Sequence, residues 1–212
     1  MNGIAIVAGG SAALARDLRG AMAEVHPVDA CDGAAVEALA GRLGGGVDAV
    51  VVAGAEADPA APPAAQVRGF VAANNHGTHR MITAFGPLLN DGGRFVVVAG
   101  PAGRLRHLPA RLRPRFDVSR LTLPGLAAVL DDYVAAVEAG RAAAAGWPAW
   151  IEVACRVGQV AAVKIMARDL PPGRGVAANA ACPGTADVLW LAAPGNAVPN
   201  GELVRNRVIL PF

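Results

Sequence analysis

Residues 3–15, "GIAIVAGGSAALA", place a short apolar run, two glycines and the start of a helical pattern end to end. An apolar run this short, closed by glycines, reads as a buried strand, and "AALARDLRGAMA" (12–23) reads as the helix that follows. A strand–glycine–helix junction is where a dinucleotide fingerprint belongs. Glycines permit the tight turn and let a pyrophosphate approach the backbone at the helix N-terminus. Gly9 and Gly10 are present, but Ala13 and Ala15 stand at the later glycine positions, and a methyl at Ala13 would crowd a pyrophosphate. Alone, the turn leaves open whether it binds a cofactor or only redirects the chain.

Outward from this junction, apolar runs alternate with helical patterns, as in a parallel α/β sheet. "EVHPVDA" is a weaker second strand, and "GAAVEALAGRL" (33–43) a helix. "VDAVVVAGA" (47–55) is apolar almost throughout, as a strand covered on both faces must be. A long helix through "VAANNHGTHRMITAFGPLL" leads to the strand "GRFVVVAG" (93–100). Residues 101–146 form a Pro- and Arg-rich excursion with one helix, "LPGLAAVLDDYVAAVEAGRAAAA". A second amphipathic helix lies within "GWPAWIEVACRVGQVAAVKIMARDL" (146–170), "GRGVAANAACPG" holds a strand before a Pro-Gly turn, and "GELVRNRVIL" ends the sheet. The expected fold is α/β: a Rossmann-like, doubly wound parallel sheet in a single three-layer domain spanning 1–212.

The net charge of +2 over 212 residues provides no basic field for nucleic acid. The cluster "RLRHLPARLRPR" (104–115) reads as a solvated face. Hydrophobic residues make up 54% and aromatics only 4%, so the core must be built from small side chains and close helix packing. No apolar run approaches the ~20 residues that span a bilayer, and "MNGIAIVAGG" has no basic segment of the kind that opens a signal peptide. Cys31, Cys155 and Cys182 are spaced for neither a metal nor a disulfide framework. The expectation is a cytoplasmic protein without metal, nucleic-acid or membrane partners, and the alanine, arginine and glycine bias suggests a bacterial gene.

"AGGSAALA", "VVAG" (51–54), "NNHGTHRMITAFGPLLNDGGRFVVVAG", "NAACPG" and "PNGELVRNRVILPF" together resemble the short-chain dehydrogenase/reductase superfamily, nearly end to end and in register. The excursion ending "EAGRAAAAGWPAW" is similar to the helical insertion of its monomeric carbonyl reductase branch, which implies a monomer. The resemblance implies NAD or NADP as cofactor, in contact with Gly9, Gly10, Ser11, Leu14, Asp29, Ala53, Gly54, Pro183 and Gly184. Asp29 would take the adenine ribose hydroxyls, favouring NAD, although a turn residue at a strand end explains it as well. Between Gly10 and Asp29 there is room for one helix and one short strand, which trims the adenosine side. The segment after "CPG", "TADVLWLAAPG" with Thr185 first, is too short for the family's substrate lid.

The family's chemistry uses Asn, Ser, Tyr and Lys. Carried over by position, Asn74 matches the asparagine, while Gly100, Glu152 and Arg156 fall on the serine, tyrosine and lysine positions. Tyr133 lies in the inserted helix and Lys164 two turns too far along. Glu152 and Arg156 stand four residues apart in the favourable ion-pair order, worth only ~0.3–0.5 kcal/mol if exposed. In the implied register, however, they face the cleft. Carboxyl groups ordinarily titrate near ~4.3 and phenols near ~10, so a glutamate at neutral pH can take a proton but has none to give a ketone. His76 could complete an acid/base set with Glu152, as could His79. Both also fit as ordinary helix histidines, His107 is assigned nothing, and Cys155 and Cys182 read as small core residues. Trp147, Trp150 and Trp190 are candidate cleft walls.

Three readings therefore stay open. One is a repurposed non-redox enzyme (cyclase, isomerase, lyase or aldol-type) acting on a small apolar carbonyl metabolite, with Glu152 as base, Arg156 on the developing oxyanion and Asn74 positioning water or substrate. The second is a carbonyl reductase with an unconventional proton donor. The third is an inactive binding or partner protein.

Overall fold

The computed structural model describes residues 3–10 and 12–212. Strand β1 (Ile4–Ala8) pairs in parallel with β2 (Glu24–Val28) on one side and β3 (Val47–Ala53) on the other. Beyond β3 follow β4 (Leu89–Val98), β5 (Ala177–Ala181), β6 (Leu203–Arg205) and the antiparallel β7 (Val208–Leu210), in the sheet order β2-β1-β3-β4-β5-β6-β7. The chain thus winds outward from β1 first to one side and then to the other. This places a crevice above the C-terminal ends of β1 and β3, where doubly wound sheets bind ligands.

Alternate strand residues build two cores, as the two-residue strand period requires. Ala5, Val7, Ala49 and Val51 meet Leu14 and Leu18 of α1 (Ala12–Ala21) and Val188 and Leu191 of α8 (Thr185–Ala192). Ile6, Val50, Val52, Phe95 and Val97 face the opposite layer. That layer holds α2 (Gly33–Leu43), α3 (Pro63–Val71), α4 (Gly77–Phe85) and α7 (Ile151–Asp169), with α5 (Leu123–Glu138) across α3 and α7. Asp32 caps α2 by accepting from Ala35 N at 3.0 Å, and Gly44, at φ 63°, ends it.

Two helices depart from the sequence expectation. The long helix before β4 is interrupted by a π-helical turn at Ala72–His76. There the Asn74 side chain donates to Phe70 O (2.9 Å) and Thr78 Oγ1 donates to Asn74 O (2.6 Å), so side chains satisfy carbonyls within the widened ladder. In the excursion, short 3₁₀ turns precede α5, and Gly140 (φ 66°) separates α5 from a one-turn helix, α6 (Ala142–Ala145). The left-handed conformation at Gly140 ends the helix that the alanine run would have continued.

The small-residue core is most evident at Gly158 on α7. A Cβ there would lie 2.7 Å from Asn75 Nδ2 and 3.0 Å from Leu130 Cδ1. Asn75 is fully buried and donates to Cys155 O at 2.9 Å. Gly158→Ala gains about 1 kcal/mol of helix propensity. It forces apart a buried hydrogen bond and a packed contact, each costing about 1–3 kcal/mol. Denaturant unfolding should show a net loss of about 1–5 kcal/mol.

On α4, His79 is 9% exposed and its Nε2 has no hydrogen-bond partner among the described residues. Burial, reinforced by the neighbouring His76 and opposed by Asp131, lowers its pKa to about 4. The unfolded chain therefore binds this proton in a window where the folded one does not. Stability should decline as pH falls from about 6.5 to about 4, by roughly 2–4 kcal/mol. Equilibrium unfolding across that range should show the decline, and a His79→Leu variant should flatten it.

Candidate functional site

The crevice over the sheet is a cleft of about 350 Å³, floored by Gly10, Ala53 and Gly54 and walled by Leu14, Pro183 and Gly184. It continues over Gly9 and Gly10 into two further hollows, both bordered by Asp29. Gly9 and Gly10 have φ of 69° and 87°, a conformation that L side chains rarely adopt, and a Cβ on Gly9 would strike Ala53 O. The glycine turn is thus demanded by the close approach of β1 and β3. Ser11 lies outside the described residues. Ala13 is exposed, and it is Ala12 and Ala15 that border the groove. Asp29 accepts from Cys31 N at 2.8 Å while lining the groove, so it is both a turn residue and a groove wall.

Arg156 is the cation of the cleft. Helix α7 delivers it from below, and only 12% of its side chain is exposed. Its Nη1 donates to Asn74 Oδ1 (3.1 Å) and Gln159 Oε1 (3.1 Å), and its Nη2 to Ala55 O (3.2 Å). The guanidinium also stands 5.7 Å over the Phe70 ring. Burial pulls its pKa below the ordinary arginine value, while Glu152, Cys155 and Glu56 push the other way. Starting from so high a value, it stays charged at neutral pH.

Glu152 Oε1 lies 3.9 Å from Arg156 Nη2, an ion pair beyond hydrogen-bond length, and a third of its side chain is exposed. Among the described residues it reaches the cleft through Arg156 rather than as part of the lining. Glu56, in the loop after β3, is the carboxylate that lines the cleft directly. Sequence reasoning missed Glu56, because an exposed loop acid carries no motif. Asn74 is fully buried with both ends of its amide engaged, so it holds Arg156 in place and presents nothing to a ligand. A Cβ on Gly54 would land on this amide, which explains the glycine.

The remaining expected residues lie elsewhere. His76 Nε2 is 3.0 Å from Asp131 of α5, turned to the outer helix layer, and the structure does not bring it to Glu152. Gly100, with φ of 86°, abuts Pro183. Tyr133, the chain's one tyrosine, is fully buried against Trp147, and burial raises its pKa well above the phenol range. Its hydroxyl has no partner among the described residues. Lys164 pairs with Glu202 at 3.2 Å, far along α7. Burial also pushes the thiols of Cys155 and Cys182 up, away from reactivity. The tryptophans do not wall the cleft: Trp147 lines a separate cavity, Trp150 is 73% exposed, and Trp190 packs against Arg207. Among the described residues no group of three His, Cys, Asp or Glu side chains could hold a metal ion, and no helix is long and apolar enough to cross a membrane.

No family model matches the chain. A Saponaria officinalis protein, short-chain dehydrogenase/reductase 1, is 31% identical over 118 residues. That match spans 52% of this chain and 38% of the relative's length. Among solved structures, salutaridine reductase from Papaver somniferum superposes with a TM-score of 0.79 at 17% identity, covering 95% of this chain and 99% of that one. Menthone neomenthol reductase from Mentha piperita gives 0.77 at 16% identity, over 96% and 98%. In its sheet order and in the glycine turn at the crevice the chain has the Rossmann-like fold of the short-chain dehydrogenase/reductases, and over about half its length it is similar to one of them in sequence.

Proposed function

We propose that this chain moves protons on a small, largely apolar carbonyl compound without the superfamily's hydride reduction. The observation that carries this reading is the pairing of a fixed cation, Arg156, with the burial of the chain's single tyrosine in the core. The cleft lining offers the Arg156 cation and the Glu56 carboxylate, with Glu152 beside Arg156, and no phenol reaches it. A carbonyl oxygen placed at the guanidinium would gain negative charge as the Glu152 carboxylate takes the adjacent carbon-bound proton. The resulting enolate rests on Arg156 Nη2, and Glu152 returns the proton to the same or another carbon. Isomerisation, dehydration, cyclisation and aldol-type steps all begin in this way. Asn74, Gln159 and Ala55 O keep the cation from swinging out. His76 has no part in this scheme.

The glycine turn and groove fit a nicotinamide dinucleotide. Gly9 and Gly10 would hold its pyrophosphate, Asp29 its adenine ribose, and Ala53, Gly54, Leu14, Pro183 and Gly184 its nicotinamide half. Bound there, it would supply hydride. A reductase with an unconventional donor is the second reading, favoured by this fit and by the two structural neighbours that are reductases. The position of α5 across α3 and α7 supports a monomer, because it covers a helix face that would otherwise be open to a partner.

The test is proton exchange at carbon in deuterated water, followed by nuclear magnetic resonance over a panel of small apolar ketones. Protein-dependent exchange should fall at least a hundredfold in Glu152→Gln and about as far in Arg156→Met, while Tyr133→Phe should exchange at the full rate. Exchange unchanged in folded Glu152→Gln would remove Glu152 from the mechanism.

A further inference from the structure

A cavity of about 610 Å³ opens between the loop entering α3 and the α6–α7 corner, apart from the cleft. Its size lies within the range of roughly 300–1,000 Å³ typical of small-molecule sites. Val137, Trp147 and Ile151, all buried for most of their surface, form its inner wall, and Pro62 and Pro63 form the opposite rim. Trp147 is fixed by Tyr133 (ring centroids 4.8 Å apart), the edge of Phe116 (6.3 Å) and the guanidinium of Arg115 (5.4 Å). The apolar wall is therefore rigid before anything binds, which lowers the ordering cost of a ligand.

One charge faces this wall. Arg111 lines the cavity, with its guanidinium lying directly over Gly146. A Cβ at Gly146, whose φ is 83°, would land on that guanidinium, so the glycine makes room for the arginine. Arg115 in the same segment is neutralised by Asp132 at 2.6 Å, and Arg113 donates to Leu108 O at 3.0 Å. Arg111 has neither a carboxylate nor a carbonyl partner among the described residues. A planar guanidinium with free donors beside an apolar wall matches a planar anion attached to an apolar body. A single unpaired cation suits a single negative charge rather than a phosphate dianion.

We propose that this cavity binds a monocarboxylate with an apolar body, its carboxylate on Arg111 and its body against Trp147, Ile151 and Val137. The site is separate from the proton chemistry of the cleft and does not depend on it.

Calorimetric titration with 4-phenylbutyrate and the matching alcohol, 4-phenylbutanol, tests it. The acid should bind at least tenfold more tightly than the alcohol. Arg111→Met should erase that difference. Ala143→Trp, at an exposed position on the cavity rim, should abolish binding of both. Arg156→Met should leave the acid's affinity unchanged. Any one of three results would overturn the proposal: no saturable binding of the acid, equal affinity in Arg111→Met, or loss of binding in Arg156→Met, which would place the ligand in the cleft.

Discussion

The Arg156 guanidinium joins three segments: the loop after β3 at Ala55, the π turn at Asn74 and helix α7 at Gln159. A cation with only 12% of its side chain exposed loses much of its hydration. Breaking such an arrangement from one side leaves an uncompensated charge, a cost of several kcal/mol. Here neutral acceptors satisfy most of its donors, and the carboxylates of Glu152 and Glu56 supply opposite charge from the rim. The shape of the cleft follows from this. Asn74 is pinned, so Gly54 must lack a side chain, and β3 can end close enough to β1 to require Gly9.

That constraint also changes the meaning of the Glu152–Arg156 spacing. On an exposed helix the pair would be a weak surface contact. In the fold, Arg156 is held by other partners and Glu152 stays at 3.9 Å, free of a tight hydrogen bond to it. In the function we propose, this fixed cation stabilises the charge left behind when the unclamped carboxylate takes a proton. A structural ion pair would instead be expected to close to hydrogen-bond length.

The order of strands and helices was legible in the sequence because the apolar runs of β1, β3, β4 and β5 are largely buried and closed by glycine or a Pro-Gly turn. "VDAVVVAGA" and "GIAIVAGG" identify themselves in this way, and the crevice between them follows from parallel winding. The partners of Arg156 were not legible, because Asn74 lies 82 residues away and Ala55 lies 101 residues away. Nor was the π turn, which depends on side-chain bonds from Asn74 and Thr78 rather than on any hydrophobic period. The sequence leaves His76 open between a partner of Glu152 and an ordinary helix histidine, and in the π turn it stands at Asp131. Glu56 was invisible because only the fold places its loop over the cleft.

The most direct test of a cleft with a fixed cation and no phenolic proton donor is cofactor consumption under saturating NADPH. Ultraviolet absorbance would follow it across a panel of small aldehydes and ketones. The expected result is no carbonyl-dependent oxidation above the protein-free rate, even where fluorescence quenching shows that NADPH is bound. Carbonyl-dependent oxidation that disappears in Glu152→Gln would show Glu152 donating the proton of a reduction, and would contradict the account.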